Sequence, residues 1–473
     1  MNKLIKTSLV LAAVVVGCSA PKVSEVKSSL QIPEQYQAQA DTSNSAIKPY
    51  RLLFTDPNLV SLIDIALKNN QELQRALQEI EIARNEVRAR KGELLPAVGI
   101  GAAAEVEKVG KFTSQGAGDE STDILPGKRV PEDLTDYSLG LRASWEVDIW
   151  KKLRSAKKAA LSRYLAEVEG KNFVITNLVA EVAERYYELQ ALDAQLAIID
   201  ANVALQQNAL EIVKVQKEAA RATALAVEKF AAEVAGSQQR AFFVKQQITE
   251  TENELNFLLG RFPQPIERSK IDFLTIEPLS IQRGLPSQLL ENRPDVRQKE
   301  LEVTATRFDV KAAKAAFYPR LDIGGAIGFQ SFRTASLFTF PESLFYNLGT
   351  DLVAPLINRN ALKAAFNSAN SRQLQALIEY DQTLLRAFVE VANQQAKIEN
   401  LANGFSRQLE QVNALNRAIG ASNELFKSAR VDYFEVLMTQ RDALEAKLEL
   451  VETKQQVLTA SIIMYRDLGG GWR

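Results

Sequence analysis

The sequence predicts a mainly α-helical protein with a membrane β-barrel, each chain built as two repeats of helix, strand, strand, long helix, helix. Three observations carry this. The chain reads twice at a long fixed offset, its longest helical segments keep a seven-residue apolar spacing, and four short segments between them alternate apolar and polar residues. Fixed-offset similarity is the signature of duplicated architecture. Alternation and heptads are the signatures of strands and supercoiled helices.

The repeat is read from matched segments. Asn69-Asn70-Gln71-Glu72-Leu73 lies 223 residues before Asn292-Arg293-Pro294-Asp295-Val296, and Leu94-Leu95-Pro96 lies the same distance before Phe317-Tyr318-Pro319. From Tyr137-Ser138-Leu139-Gly140 and Tyr346-Asn347-Leu348-Gly349 onward the offset is 209, which places a loop 14 residues shorter in the second copy. Ala220-Arg221 then matches Ala429-Arg430, and Val227 matches Val436. The first repeat spans 56–259 and the second 287–468, followed by a tail at 469–473. A linker at 260–286 separates them, rich in the breakers Gly260, Pro263, Pro265, Pro278, Gly284 and Pro286.

Each repeat carries one very long helix and a second one after a turn, expected over 152–219 and 225–259, then over 360–428 and 434–466. In the second copy Leu377, Leu384, Val391, Ile398, Phe405, Val412 and Ile419 recur every seven residues, and Leu374, Phe388 and Leu409 fall in an interleaved row. Val182, Leu189, Leu196, Val203 and Leu210 repeat the pattern in the first copy. Heptads sustained this far predict coiled coils, and several seams on one helix predict more than one helical neighbour.

The strands are expected over 97–108, 136–149, 320–333 and 344–353. Tyr137, Leu139, Leu141, Ala143, Trp145, Val147 and Ile149 alternate with Ser138, Gly140, Arg142, Ser144, Glu146 and Asp148. About ten alternating residues flanked by aromatics suit a membrane-spanning strand. Four strands cannot close a barrel, and an open edge does not survive in lipid. Two chains supply eight strands and a filled interior; three supply twelve and room for a channel.

Composition narrows the chemistry. The chain has 473 residues, 57 Lys plus Arg against 58 Asp plus Glu, no histidine and one cysteine. The balanced charge gives no reason to expect a nucleic-acid partner. Without histidine there is no His-based triad and no His-ligated zinc, and one cysteine makes neither an internal disulfide nor a cysteine cluster. The expectation is a non-enzyme with no cofactor and no metal. The single cysteine has a place of its own. Lys3 and Lys6 precede an apolar run, Leu9 to Val16, too short to cross a bilayer, and Gly17 and Cys18 follow at once. Residues 1–17 read as a signal peptide ending in Val15-Val16-Gly17-Cys18, which resembles the bacterial lipobox. That resemblance implies cleavage before Cys18, its lipidation, and an extended lipidated segment over 18–55. Ser19 after the cysteine resembles the pattern of lipoproteins sent to the outer membrane.

Taken together, these segments resemble the TolC/OprM family of outer-membrane factors, in its lipoprotein branch. The matching stretches are Leu285–Val296 (LPSQLLENRPDV), Ala312–Pro319 (AAKAAFYP), Trp145–Trp150 (WEVDIW) and Val436–Arg441 (VLMTQR). The resemblance runs from about residue 50 to 468. It implies a homotrimer with a twelve-stranded barrel in the outer membrane and a twelve-helix coiled-coil tunnel in the periplasm. It also implies docking through a periplasmic adaptor onto an inner-membrane pump, usually of the proton-driven resistance-nodulation-division type, with export of drugs or other toxic small molecules. Two positions depart from the family. Lys151 and Asn360 stand where a glycine commonly joins strand to long helix, so Lys151 needs ordinary backbone angles or is strained. Met438 stands where the second tip often carries aspartate. Asp432 and Glu435, three apart and so able to share a helical face, become the candidates for the periplasmic gate, with Arg430 and Met438 beside them. Two other readings stay open: a lipid-anchored periplasmic coiled-coil scaffold with no pore, and an exit duct for type I protein secretion.

Overall fold

A computed structural model describes residues 21–23, 28, 30–34, 36 and 43–473 except 358 and 429. The signal segment and Cys18 lie outside the described residues. The repeat is visible in the element order. The first copy runs α1 (Pro57–Asn69), α2 (Gln71–Gly92), β1 (Ala97–Lys108), α3 (Ser114–Ser121), β2 (Asp123–Leu125), β3 (Lys128–Arg129), β4 (Asp133–Val147), α4 (Lys152–Glu218) and α5 (Ala224–Leu258). The second runs α6 (Pro294–Ala315), β5 (Arg320–Ser331), β6 (Leu344–Val353), α7 (Asn360–Lys427) and α8 (Tyr433–Asp467). The longer loop of the first copy holds α3 and the small β2–β3 hairpin, neither of which alternation or heptads signalled. The segment expected to be extended before residue 55 instead contains turns at Ser45–Ile47 and Tyr50–Leu53. Its Tyr36 is buried and stacks on Phe388 with ring centroids 5.3 Å apart.

The chain divides into two compact units. One contains the strands. β1, β4, β5 and β6 form an antiparallel sheet in that order, so β1 and β6 are its edges. Register puts Ile100, Leu141, Ile327 and Tyr346 in one row, and Val98, Ala143, Gly325 and Leu348 in the next. That face is exposed: Ile100 by 76%, Tyr346 by 77% and Leu348 by 82%. Among the described residues these side chains stay uncovered, unlike those of a strand laid on a soluble core. The opposite rows are Gly99, Arg142, Ala326 and Asn347, then Ala97, Ser144, Gly324 and Gly349, small or polar throughout. β4 begins three residues earlier than its alternation suggests, because Asp133–Asp136 pair with Glu105–Lys108. It stops at Val147 because Asp148 turns away to cap the next helix.

The motifs read as family-like converge where strand becomes helix. Asp148 is nearly buried and its carboxylate accepts from the backbone N–H groups of Leu153 and Arg154, both at 3.0 Å, satisfying donors that the start of α4 leaves free. Trp145 donates to the Leu94 carbonyl at 3.1 Å. Trp150 stacks on Tyr318 at 4.7 Å and donates to the Pro319 carbonyl. Lys151 adopts φ +61°, a left-handed conformation that costs a lysine on the order of 1 kcal/mol. The caps and stacks around it hold it there. Asn360 needs no such angle and begins α7 directly.

The second unit contains most of the buried apolar side chains. Its main core joins Leu59, Ile63, Leu178, Val182, Tyr186, Leu255, Val451 and Tyr465. The duplication is sharpest at the helix joints. Gly260 and Gly469 both take left-handed angles, φ +66° and +87°, just past the ends of α5 and α8. A Cβ on either would stand 2.4 Å from a carbonyl oxygen, that of Asn69 in one copy and Asn292 in the other, so only glycine fits. Beside them Asn70 donates to the Leu258 carbonyl and Arg293 to the Asp467 carbonyl, each at 3.0 Å. Arg293 is buried and is held by Asp295 at 2.7 Å and Glu390 at 2.8 Å.

The heptads divide by exposure. Leu377, Leu384, Val391 and Val412 are buried, whereas Leu374, Ile378, Leu385, Val389 and Leu409 are exposed. One row is buried within the chain and another is exposed among the described residues.

The two faces of β4 are expected to respond oppositely to substitution. Leu141→Arg puts a charge on the apolar face and should cost about 2–4 kcal/mol near mid-membrane. Arg142→Ala should cost little. Urea titration of the protein folded into liposomes checks this; equal sensitivity would mean that the faces are misassigned.

Candidate functional site: the paired helix tips

Two turns reverse the long helices, one in each copy, and they are built alike. After α4 the N–H of Arg221 donates to the Gln216 carbonyl at 2.8 Å and that of Ala220 to Lys217 at 2.9 Å, with Ala220 at φ +56°. After α7 the N–H of Arg430 donates to the Leu425 carbonyl at 2.9 Å, the equivalent closing bond. At Ala220 this is the left-handed C-cap that usually employs glycine; there alanine carries it at some cost in strain. Thr223 then caps α5, its hydroxyl accepting from the Ala226 N–H at 3.2 Å. Asp432 occupies the matching cap position of α8, but its side chain makes no cap hydrogen bond.

The two tips are packed against each other. Val213, Ala226, Phe230 and Leu437 are buried together, with Tyr433 against them. Phe230 and Tyr433 have centroids 6.4 Å apart, and the Lys229 ammonium lies 5.1 Å from the centre of the Phe434 ring. A shift of one helical hairpin therefore moves the other.

The candidate gate residues fall as follows. Arg430, Asp432 and Glu435 are exposed, and none has a side-chain partner among the described residues; Met438 is half-buried. The helical pairing expected of Asp432 and Glu435 does not hold. Asp432 has extended angles, φ −77° and ψ 154°, and sits outside the helix as its cap, while Glu435 is in the first turn. Both stand at the positive end of the α8 dipole, where carboxylates are favoured. The signal for this was present in Asp432-Tyr433-Phe434-Glu435, an acidic residue three before a glutamate at the start of an apolar run.

Sequence reasoning did not single out a second cluster. Glu181 and Glu184 on α4 lie near Glu188 and Glu254, and Arg185 is already engaged by Glu188 at 2.6 Å and Glu254 at 3.2 Å. Burial holds the carboxyls of Glu181 and Glu184 above the usual range; Glu72 adds to the effect at Glu181, and Arg466 opposes it at Glu184. Among the described residues no group of side chains could hold a metal ion, and no helix is long and apolar enough to cross a membrane.

An edge-open sheet with one exposed apolar face, joined to paired coiled-coil hairpins, defines a class: the subunit of a membrane channel whose barrel passes into helices. The chain belongs to the outer membrane efflux protein family, whose model matches residues 62–261 and 285–470. It is 29% identical over 469 residues to the pyoverdine export outer membrane protein OpmQ of Pseudomonas aeruginosa, covering 98% of this chain and 97% of that protein. It is 26% identical over 469 residues to the cation efflux system protein CusC of Escherichia coli O6:H1, covering 98% of each. A solved structure of CusC, concerned with folding and transmembrane channel formation, has the same fold with a TM-score of 0.83 at 24% identity, over 96% of this chain and 99% of that chain.

Two tests follow from the site. The double variant Asp432→Ala, Glu435→Ala should weaken cation preference in bilayer recordings, because three chains meeting at the tips would make each exposed carboxylate a ring of like charge. Arg430→Ala should raise resting conductance if it ties closed tips together. Unchanged selectivity in the double variant would remove these carboxylates from the aperture. The second test is one of pH. A carboxyl raised by folding stabilises the fold when protonated and costs stability as pH rises through its folded value. Glu184→Gln should therefore stabilise the protein at neutral pH and lose that advantage toward about pH 4, where the free acid also protonates. Thermal unfolding at both pH values checks the sign.

Proposed function

We propose that three copies of this chain close a twelve-stranded barrel in the outer membrane, continued by a twelve-helix periplasmic tunnel, and export small toxic molecules. One observation carries the reading: a four-stranded sheet whose two edges have no strand partner among the described residues and whose apolar face is largely exposed. Lipid covers that face and neighbouring copies pair the edges, which a pore-free scaffold would leave unexplained. The unpartnered seam through Leu374, Ile378, Leu385 and Val389 gives neighbouring helices a place to pack.

The channel works by geometry, with no catalytic residue. Its exposed tips receive a periplasmic adaptor, and an inner-membrane proton-driven pump supplies solute. Adaptor binding opens the tips by favouring the open state over the closed one. The relatives' names support efflux: they export pyoverdine, cations or solvents. Acylated Cys18 anchors the chain, an assignment supported by a relative named as a probable outer membrane lipoprotein.

Purified protein should give discrete, low conductance steps in planar bilayers; a complete absence of conductance would remove the pore. Intact mass spectrometry should find a mature chain beginning at lipid-modified Cys18, and an unmodified cysteine would remove the anchor.

A further inference from the structure

The middle of the sheet's polar face is nearly all small, and Arg142 is the long cation there. The row Gly99, Arg142, Ala326 and Asn347 is followed by Gly101, Gly140, Gly328 and Phe345. Asn347 is folded onto the sheet, its side-chain oxygen accepting from the Ala326 N–H at 2.9 Å. Arg142 is exposed and lies over Gly101, where a Cβ would come within 3.6 Å of its Nε. No acidic partner meets it among the described residues.

The other charges on this face are placed differently. Glu105, Glu107 and Asp136 stand toward the loop end, and Asp136 accepts from Gln330 at 2.6 Å. Glu146, Asp322 and Asp351 share a row at the helix end. There Glu146 pairs with Lys152 at 2.5 Å and Asp322 with Arg320 at 2.7 Å. Along β4, Asp136 is about 20 Å from Arg142 and Glu146 about 13 Å. Both exceed the Debye length of about 8 Å at physiological salt. The field of Arg142 is therefore not cancelled by its own strand.

We propose that Arg142 is a selectivity residue of the barrel lumen: three copies form a cationic ring that recognises small polycarboxylate anions between two acidic bands. This rests on the trimeric pore proposed above. Glycine and alanine beside it leave room for solute at the level of the guanidinium, whose planar fork matches a carboxylate. Anions are held there, while cations pass the acidic bands without a site at mid-barrel.

The test is block of single-channel current by citrate added on the barrel side of oriented channels. Wild type should show voltage-dependent block, and R142K, which keeps the charge but not the fork, should keep a weaker block. R142Q, of similar size and uncharged, should need about tenfold more citrate for half-block, which corresponds to loss of about 1.4 kcal/mol of attraction from the ring. The same citrate dependence in R142Q and wild type, with conductance present in both, would overturn the ring and leave the pore standing. No conductance from any variant would overturn the pore and the ring together.

Discussion

The backbone hydrogen bonds missing from the outer edges of β1 and β6 are the constraint that organises this molecule. In hydrocarbon an unpaired backbone group costs several kcal/mol, and each edge presents a row of them. The apolar face from Ile100 to Tyr346 commits the sheet to lipid, so the edges must be paired by other strands. Antiparallel order allows it: β6 of one copy runs opposite to β1 of the next, so the alternation continues around a closed barrel. The exposed heptad row on α7 has the same character. It is a surface shaped for a neighbour and left empty in one chain.

What holds the chain to this design is repeated in both halves. Gly260 and Gly469 let a carbonyl of the preceding helix junction approach where any side chain would collide. Asn70 and Arg293 then fasten the same junctions to the ends of α5 and α8. The second copy uses a buried, doubly paired arginine where the first uses an amide. Removing both acid partners would leave an uncompensated buried cation, a costlier defect than losing an amide bond. At the far turns the packing of Phe230 against Tyr433 couples the two hairpins, so an opening movement is shared between them.

Much of this was legible in the sequence because duplication and periodicity are collective signals. The four longer strands, the four long helices and the tips expected at 219–227 and 429–436 follow from the offsets and the heptads. Single residues were harder to place. Asp148 reads as one more polar position in an alternating strand, and only the end of β4 makes it a cap. Lys151 was recognisable as a departure, but its left-handed angle depends on the stacking of Trp150 and Tyr318 around it. The spacing of Asp432 and Glu435, the gate candidates, suggests a shared helical face, but Asp432 lies outside the helix as its cap. The α3 segment and the β2–β3 hairpin carry no long periodicity and were invisible for that reason. Arg142 looks like any polar-face residue until register shows glycine and alanine around it.

The central claim is that this chain completes its sheet only with copies of itself, and that their number is three. Native mass spectrometry of the full chain, released from detergent micelles under gentle activation, counts the copies directly. The account predicts a dominant species of three chains that survives until the micelle is stripped away. A dominant monomer or dimer would contradict it, because neither closes a barrel wide enough for a channel from four strands per chain.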